Sequence, residues 1–194
     1  MNRLFYALVF LTLLAGCMAN SYDAVSLKWK PTSDIGSVSH GGISNLVFTI
    51  QAFKDSRSDK RLIGRNIESA GKIRPVTTQE DVGRWTSDRF GDLLAMQGLH
   101  VGKQGQVVLT GDVLKFEVEE SETYRGQVMV KLYARDAKGA LLWEGVMSGS
   151  ADRFGRSFNL ENYYEVLSDS LIEAVSSLLS RTDFVQSVKS AQSS

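Results

Sequence analysis

The segment that decides the fold runs from residue 107 to residue 150: VVLTGDVLKFEVEESETYRGQVMVKLYARDAKGALLWEGVMSGS. Apolar and polar residues alternate along three parts of it, Val107–Val118, Gln127–Arg135 and Leu141–Ser150. Because successive side chains of a strand point to opposite faces of a sheet, this alternation predicts three strands buried on one face. The sequence Asp136-Ala137-Lys138-Gly139 predicts a hairpin turn between the last two. We therefore expect an antiparallel, three-stranded meander.

The apolar phase of the first predicted strand changes between Val113 and Leu114. Val107 and Leu109 keep one alternation before this point, whereas Leu114, Phe116 and Val118 keep another after it. A β-bulge, which inserts one extra residue into a strand, or a change of the buried face produces such a change. The sequence therefore predicts a bulge or a switch of face at this position.

Upstream of the meander the pattern is less regular. Leu46–Phe53 is rich in β-branched and aromatic residues and predicts a strand. Ala24–Trp29 alternates before Pro31 and is compatible with a first, edge-like strand. Lys54–Gly71 is charged and has no clear period, so we expect a long loop there.

Two amphipathic helices are predicted, one before the meander in the sequence and one after it. Thr77 and Glu80 have the spacing of a capping box and predict the start of the first helix, which Gly98 would end. Asn159 predicts the N-cap of the second. Its apolar stripe has spacings of three and four residues and comprises Tyr164, Leu167, Leu171, Ala174, Val175 and Leu178.

These elements predict one α+β domain over residues 24–189. We expect a mainly antiparallel sheet of four or five strands with two helices packed on one face. The tail, residues 190–194, is expected to fray. The mature chain is long enough for one domain with a substantial core.

The N-terminus has the layout of a bacterial secretory signal. Asn2-Arg3 precedes an apolar run, Leu4–Leu14, which is too short to span a bilayer. Leu14-Ala15-Gly16-Cys17 then resembles the cleavage site of a lipoprotein signal. This resemblance implies removal of the signal peptide, residues 1–16, and attachment of diacylglycerol and a further acyl chain such as palmitate to Cys17. Residues 17–23 would then be a lipidated tether.

The residue after the cysteine bears on the membrane to which the protein is sent. Lipoproteins that stay at the inner membrane usually carry Asp there, whereas this chain has Met18. We therefore expect a lipid-anchored protein on the periplasmic face of the outer membrane. Cys17 is the chain's sole cysteine and has no partner for an intrachain disulfide.

Composition and motifs give little support for catalysis or nucleic-acid binding. The 22 basic and 22 acidic residues cancel, so no net positive charge attracts nucleic acid. His40 and His100 are the two histidines, too few to predict a metal site, and no cofactor motif is present. An acidic cluster offers the one enzymatic alternative, an envelope enzyme acting on glycan or lipid. It comprises Glu117, Glu119, Glu120 and Glu122.

A basic stretch within the predicted loop is the candidate recognition site. Arg57, Arg61 and Arg65 each carry a planar guanidinium that can hold a carboxylate or phosphate with two hydrogen bonds. The partner would be a lipid phosphate, the glycan layer or an acidic protein. Alternatively, Arg57 pairs with Asp55 or Asp59 and holds the loop in place.

The chain resembles the YajG-type family of small envelope lipoproteins. The resemblance rests on Leu14-Ala15-Gly16-Cys17, the strand Val47–Phe53 running into Asp55-x-Arg57, and Ile63-Gly64. Gln97-Gly98, the strand Val107–Leu109 and the closing helix also fit. It implies a non-enzymatic binding or assembly module of the cell envelope, with another envelope protein or complex as its partner. An auxiliary lipid carrier of a transport system is a further alternative.

Overall fold

The computed structural model describes residues 24–36, 41–156 and 158–193. The predicted signal peptide (1–16), Cys17, the tether (17–23) and His40 lie outside the described residues. The strands are β1 (Val47–Ile50), β2 (Lys54–Asp55), β3 (Leu62–Ile67), β4 (Ile73–Thr77), β5 (His100–Val101), β6 (Val107–Glu120), β7 (Thr123–Asp136) and β8 (Leu141–Phe154). The helices are α1 (Val82–Met96), α2 (Leu160–Leu179) and α3 (Thr182–Lys189), followed by a 3₁₀ turn at Ser190–Ser193.

The sheet is organised around the long strand β6. On one side β6 pairs with β7 along its whole length, and β7 pairs with β8, both antiparallel. On its other side β6 pairs in parallel with three short strands in succession, β1, β2 and β3. At the rim β4 pairs antiparallel with β3, and β5 pairs in parallel with β1.

The prediction of a mainly antiparallel sheet of four or five strands with two helices is wrong. The described residues form an eight-stranded mixed sheet, in which four of the seven strand pairings are parallel, together with three helices. The antiparallel meander is correct, but it forms one half of a larger sheet.

The error comes from residues 54–77. The predicted loop, Lys54–Gly71, contains β2 and β3, and β4 follows directly after it. The sequence of the β3–β4 hairpin lacks a clear apolar alternation. At one buried position of β3 the Tyr163 ring packs directly on the backbone and leaves no room for an apolar side chain. A Cβ at Gly64 would lie 2.4 Å from the Tyr163 ring, so this position requires glycine rather than an apolar side chain. The next residue, Arg65, is exposed. The sequence around Gly64 therefore lacks the apolar residues that would predict a strand.

The meander itself agrees with the sequence. The register of β6 on β7 shifts between Val113 and Lys115, which confirms a bulge and leaves Leu114 43% exposed. Asp136 and Gly139 form the predicted turn, in which the amide of Gly139 donates to the carbonyl of Asp136. Gly139 has φ +89°, a conformation that favours glycine.

The helices and the sheet enclose one hydrophobic core. Phe90 of α1 packs on Phe53 with ring centroids 5.4 Å apart, and Trp85 of α1 packs edge-on against Phe116 of β6. The predicted stripe of α2 is buried throughout. Asn159 is confirmed as the N-cap of α2, accepting from the amide of Glu161.

Candidate functional site

The first described segment, residues 24–36, lies across the helices without forming a strand or helix, and we call it the strap. The edge strand predicted at Ala24–Trp29 is not formed. Instead the amide of Val25 donates to the carbonyl of Thr77 (2.8 Å), and the Thr78 hydroxyl donates to the carbonyl of Val25 (2.7 Å). The strap is therefore attached to the end of β4 by a local pair of hydrogen bonds.

Residues predicted to cap the first helix hold the strap instead. The Glu80 carboxylate accepts from the amide of Leu27 at 3.0 Å. Helix α1 begins five residues beyond Thr77, at Val82, and its N-cap is Asp81, whose carboxylate accepts from the amide of Arg84. The predicted capping box at Thr77 and Glu80 is therefore wrong.

Asp169 of α2 is the principal attachment point of the strap. Its side chain accepts from the amide of Thr32 (2.8 Å), the hydroxyl of Thr32 (2.7 Å) and the amide of Ser33 (3.0 Å), and it also pairs with Arg153. Burial alone would raise the pKa of Asp169, but these hydrogen bonds outweigh it and lower the pKa below its ordinary value. The carboxylate is therefore held ionised inside the protein.

Lys30 provides a second attachment, closer to the start of α2. Its ammonium lies 2.6 Å from Glu161 and 3.1 Å from Glu165, and these hydrogen bonds raise the pKa of Lys30. Its amide donates to the Ser168 hydroxyl. Trp29, the preceding residue, packs against Trp85 with ring centroids 6.0 Å apart.

The strap fixes the point at which the upstream chain joins the domain. Ala24 lies beside Thr77: the amide of Ala24 donates to the hydroxyl of Thr77 at 3.2 Å. Seven residue steps upstream is Cys17. The strap therefore fixes Ala24, seven positions after the predicted lipid attachment point, to the folded domain.

The structure gives Arg57 a place inside the domain. Its guanidinium forms two hydrogen bonds with Asp55 (2.9 and 2.8 Å) and donates to the carbonyls of Lys60, Leu62 and Phe116. Its side chain is 7% exposed. This is the pairing with Asp55 that the sequence left open as an alternative.

Arg61 and Arg65 are on the surface. Arg65 forms an ion pair with Glu117 at 3.3 Å and stays 45% exposed. Arg61 is exposed. Its amide donates to the carboxylate of Asp59, and its carbonyl accepts from the amide of Thr78. Arg57 and Arg65 both line a small cavity of about 100 Å³, whereas Arg61 is not part of its lining. A recognition role for the three arginines remains a prediction.

The four glutamates of the acidic cluster do not share one face: Glu120 points into the core, whereas Glu117 and Glu119 lie on the opposite face of β6. Glu120 is buried, accepting from the amide of Phe158 (2.7 Å) and the hydroxyl of Tyr163 (3.0 Å). Glu117 is paired with Arg65 and with Lys115. Glu119 and Glu122 are exposed. The arrangement does not bring a pair of carboxylates together around a substrate cavity.

Two surface grooves lie beside the helices. One of about 490 Å³ lies between the strap, β8 and α2, and its lining includes Ser33, Ser150, Asp169, Ile172, Glu173 and Ser177. Another, of about 390 Å³, lies beside α1 and includes Ile50, Gly91 and Val101. Between the helices and the sheet, where an apolar ligand would bind, the side chains are packed into the core.

Across residues 24–36, 41–156 and 158–193, no three His, Cys, Asp or Glu side chains are grouped so as to hold a metal ion. No helix in these ranges has both the length and the apolar character needed to cross a membrane.

Comparison with known proteins identifies a shared fold but no family. No family model matches the chain, and no curated protein matches it. The structure is similar to protein XCC0632 from Xanthomonas campestris, of family DUF330, with a TM-score of 0.55 and 10% identity over 86% of this chain and 97% of that one. This likeness shows a common fold.

Weaker likenesses extend to two other bacterial proteins. One is the PelC dodecamer from Paraburkholderia phytofirmans, with a TM-score of 0.38 and 15% identity over 69% of this chain and 85% of that one. The other is lipoprotein GNA1162 from Neisseria meningitidis, with a TM-score of 0.33 and 12% identity over 59% and 89%. The comparisons do not single out the YajG-type family.

Proposed function

We propose that this protein is an outer-membrane lipoprotein, anchored through Cys17, that serves as a non-enzymatic binding or assembly module of the cell envelope. The observation that carries the proposal is the sequence Leu14-Ala15-Gly16-Cys17 after a short apolar run. The strap supports it, because it fixes Ala24, only seven positions after Cys17, to the folded domain.

The hydrogen bonding of the buried charged side chains supports a non-enzymatic role. Asp169, Glu120 and Arg57, the most enclosed of them, are occupied by hydrogen bonds that hold segments of the domain together. A general acid or base instead needs access to a substrate in a cavity. The glycan or lipid enzyme alternative requires such a cavity near Glu117–Glu122.

Recognition of a partner is assigned, within this proposal, to the exposed arginines Arg61, in the loop between β2 and β3, and Arg65 of β3, with Arg57 holding that loop in shape. A partner that offers carboxylates or phosphates would pair with both guanidinium groups. Replacing Arg61 and Arg65 with Glu should preserve the fold and weaken in-cell crosslinks to the partner. Unchanged crosslinking by the folded double variant would give this loop a structural role alone.

The anchor is tested by metabolic labelling. Cells that express the full chain should incorporate labelled palmitate into it, and Cys17→Ser should abolish the incorporation. Ser21→Ala, a nearby substitution in the tether, is the matched control and should label normally. Equal labelling of the Cys17→Ser variant would overturn the proposal.

A further inference from the structure

We propose that one end of the sheet faces the bilayer and inserts the side chain of Phe154 into its interfacial region. This inference rests on the proposed lipid anchor at Cys17. The end in question, which we call the Phe154 end, comprises the β3–β4 turn (Glu68–Lys72), the β6–β7 turn (Ser121–Glu122) and the last residue of β8.

Phe154 is the most exposed large apolar side chain among the described residues. It is 95% exposed, although it ends a strand whose inward residues are buried. Transferring a phenylalanine side chain from water to an apolar medium gains roughly 1.5–3 kcal/mol, so full exposure leaves this gain available to a partner. A bilayer interface accommodates an isolated aromatic residue without a shaped pocket.

Neighbouring residues extend this surface. Phe154 is paired with Thr123 beside the β6–β7 turn. Two residues later, the guanidinium of Arg156 donates to the Ser69 hydroxyl at 2.7 Å, which joins this segment to the β3–β4 turn. The same turn leads through exposed Lys72 into Ile73, which is 56% exposed. Exposed apolar side chains and the cations Lys72 and Arg156 thus share this end of the sheet with the exposed carboxylates Glu119 and Glu122. The expected attraction to a bilayer therefore comes from the apolar side chains.

The length of the tether determines which end can meet the membrane. Seven residue steps from Cys17 to Ala24 span at most about 25 Å when fully extended. Ala24 is beside Thr77, which pairs with Leu62, and Leu62 is level with Phe116 in the register of β3 on β6. Along β6 the Phe154 end begins at Glu120, four residues from Phe116. This separation is about 13 Å at the usual rise of a strand.

The opposite end of the sheet is farther from the anchor. Val107, which pairs with Asp136 at the β7–β8 turn, is nine residues from Phe116, or about 30 Å. This exceeds the reach of the tether. Leu141 and Val101 are also exposed at that end, at 48% and 41%, but a membrane held by Cys17 does not reach them.

The strap also passes close to the Phe154 end. Thr32 is bound by Asp169, whereas Lys28 lies 3.9 Å from Glu161 in the first turn of α2. The start of α2 is joined to the Phe154 end, since the amide of Asn159 donates to the hydroxyl of Tyr124. From Lys28 the strap continues to Thr77, at the level of Phe116, so the upstream chain leaves the described domain about 13 Å from the Phe154 end.

The test measures membrane depth with a spin label. The lipid occupies the thiol of Cys17, so Phe154→Cys introduces the one thiol available for a nitroxide in the acylated full chain. The labelled protein is reconstituted in vesicles of phosphatidylethanolamine and phosphatidylglycerol. Collision rates are then measured with oxygen, which concentrates in the bilayer, and with a water-soluble nickel complex. Lys138→Cys, in the β7–β8 turn, is the matched control.

We expect the ratio of oxygen to nickel collisions to be several-fold higher at position 154 than at position 138. Equal ratios in a palmitate-labelled, folded protein would overturn the orientation and leave the anchor intact. A protein that incorporates no palmitate would overturn the proposed anchor and, with it, the orientation. A higher ratio at position 138 would place the opposite end of the sheet against the membrane.

Discussion

At the scale of single residues, a few enclosed charges fix the segments that lack regular secondary structure. Asp169 is 3% exposed and binds the strap through Thr32 and Ser33 while also pairing with Arg153. Each of these donors would lose a partner if the carboxylate were removed. Because unpaired buried polar groups are costly, such residues have large effects on stability.

Replacing Asp169 with Ala should lower the free energy of unfolding by about 2–4 kcal/mol, since the change leaves Arg153 and three strap donors without this partner. Urea unfolding of the unlipidated chain from residue 17, with Cys17→Ser, measures the effect. Asp152→Ala is the control, because its ion pair with Arg125 is largely exposed and should contribute less than about 1 kcal/mol. Equal losses in the two variants would contradict the role of Asp169.

The lowered pKa of Asp169 also predicts a pH dependence. Its contribution to stability is complete above the unfolded value, near 3.8, and is lost as the pH falls through the lower folded value. Acid should therefore release the strap below about pH 3.8, with a change in the fluorescence of the Trp29–Trp85 pair. Asp169→Asn should lack this transition. An identical acid titration of the two proteins would show that another group governs it.

Arg57 and Arg61 should respond differently to the same substitution. Arg57→Ala should lower the free energy of unfolding by roughly 2–4 kcal/mol, because Asp55 and three backbone carbonyls lose a nearly buried partner. Arg61→Ala, at an exposed position, should change it by less than about 0.5 kcal/mol. Thermal or urea denaturation of both variants checks this. A neutral Arg57→Ala would return that residue to the recognition surface.

At the scale of elements, local patterns predicted the meander, its bulge and the cap of α2, because each depends on residues close in sequence. The β3–β4 hairpin was missed because Gly64 under Tyr163 and exposed Arg65 leave no regular alternation. The strap was missed because its bonds join residues 53 to 138 positions apart. The sequence around Asp169 predicts an ordinary polar position on a helix, and no neighbouring residue indicates that its side chain is buried.

The contact between α2 and β8 should be sensitive to added volume. A Cβ at Gly149 would lie 2.2 Å from the carbonyl oxygen of Ser170, so Gly149→Ala should cost about 1–3 kcal/mol or more. Gly91 of α1 has room, with the nearest atom of Ile50 at 3.5 Å. Gly91→Ala should therefore stabilise by about 0.5–1 kcal/mol. Denaturation curves that rank the two variants in the opposite order would contradict this packing.

At the scale of the whole molecule, the attachment of the N-terminus and the shape of the sheet act together. The strap brings Ala24 to the level of Phe116, nearer to the Phe154 end than to the β7–β8 turn. A short tether above this point would hold the domain close to a membrane in one orientation. The exposed arginines Arg61 and Arg65 then lie on the same half of the sheet.

The most direct test of the central claim is mass spectrometry of the N-terminal peptide from protein purified out of cell membranes. The proposed lipid anchor predicts that the mature chain begins at Cys17 and that this residue carries a diacylglyceryl thioether and an acylated amine. A mature chain that begins elsewhere, or a Cys17 with a free thiol, would contradict it.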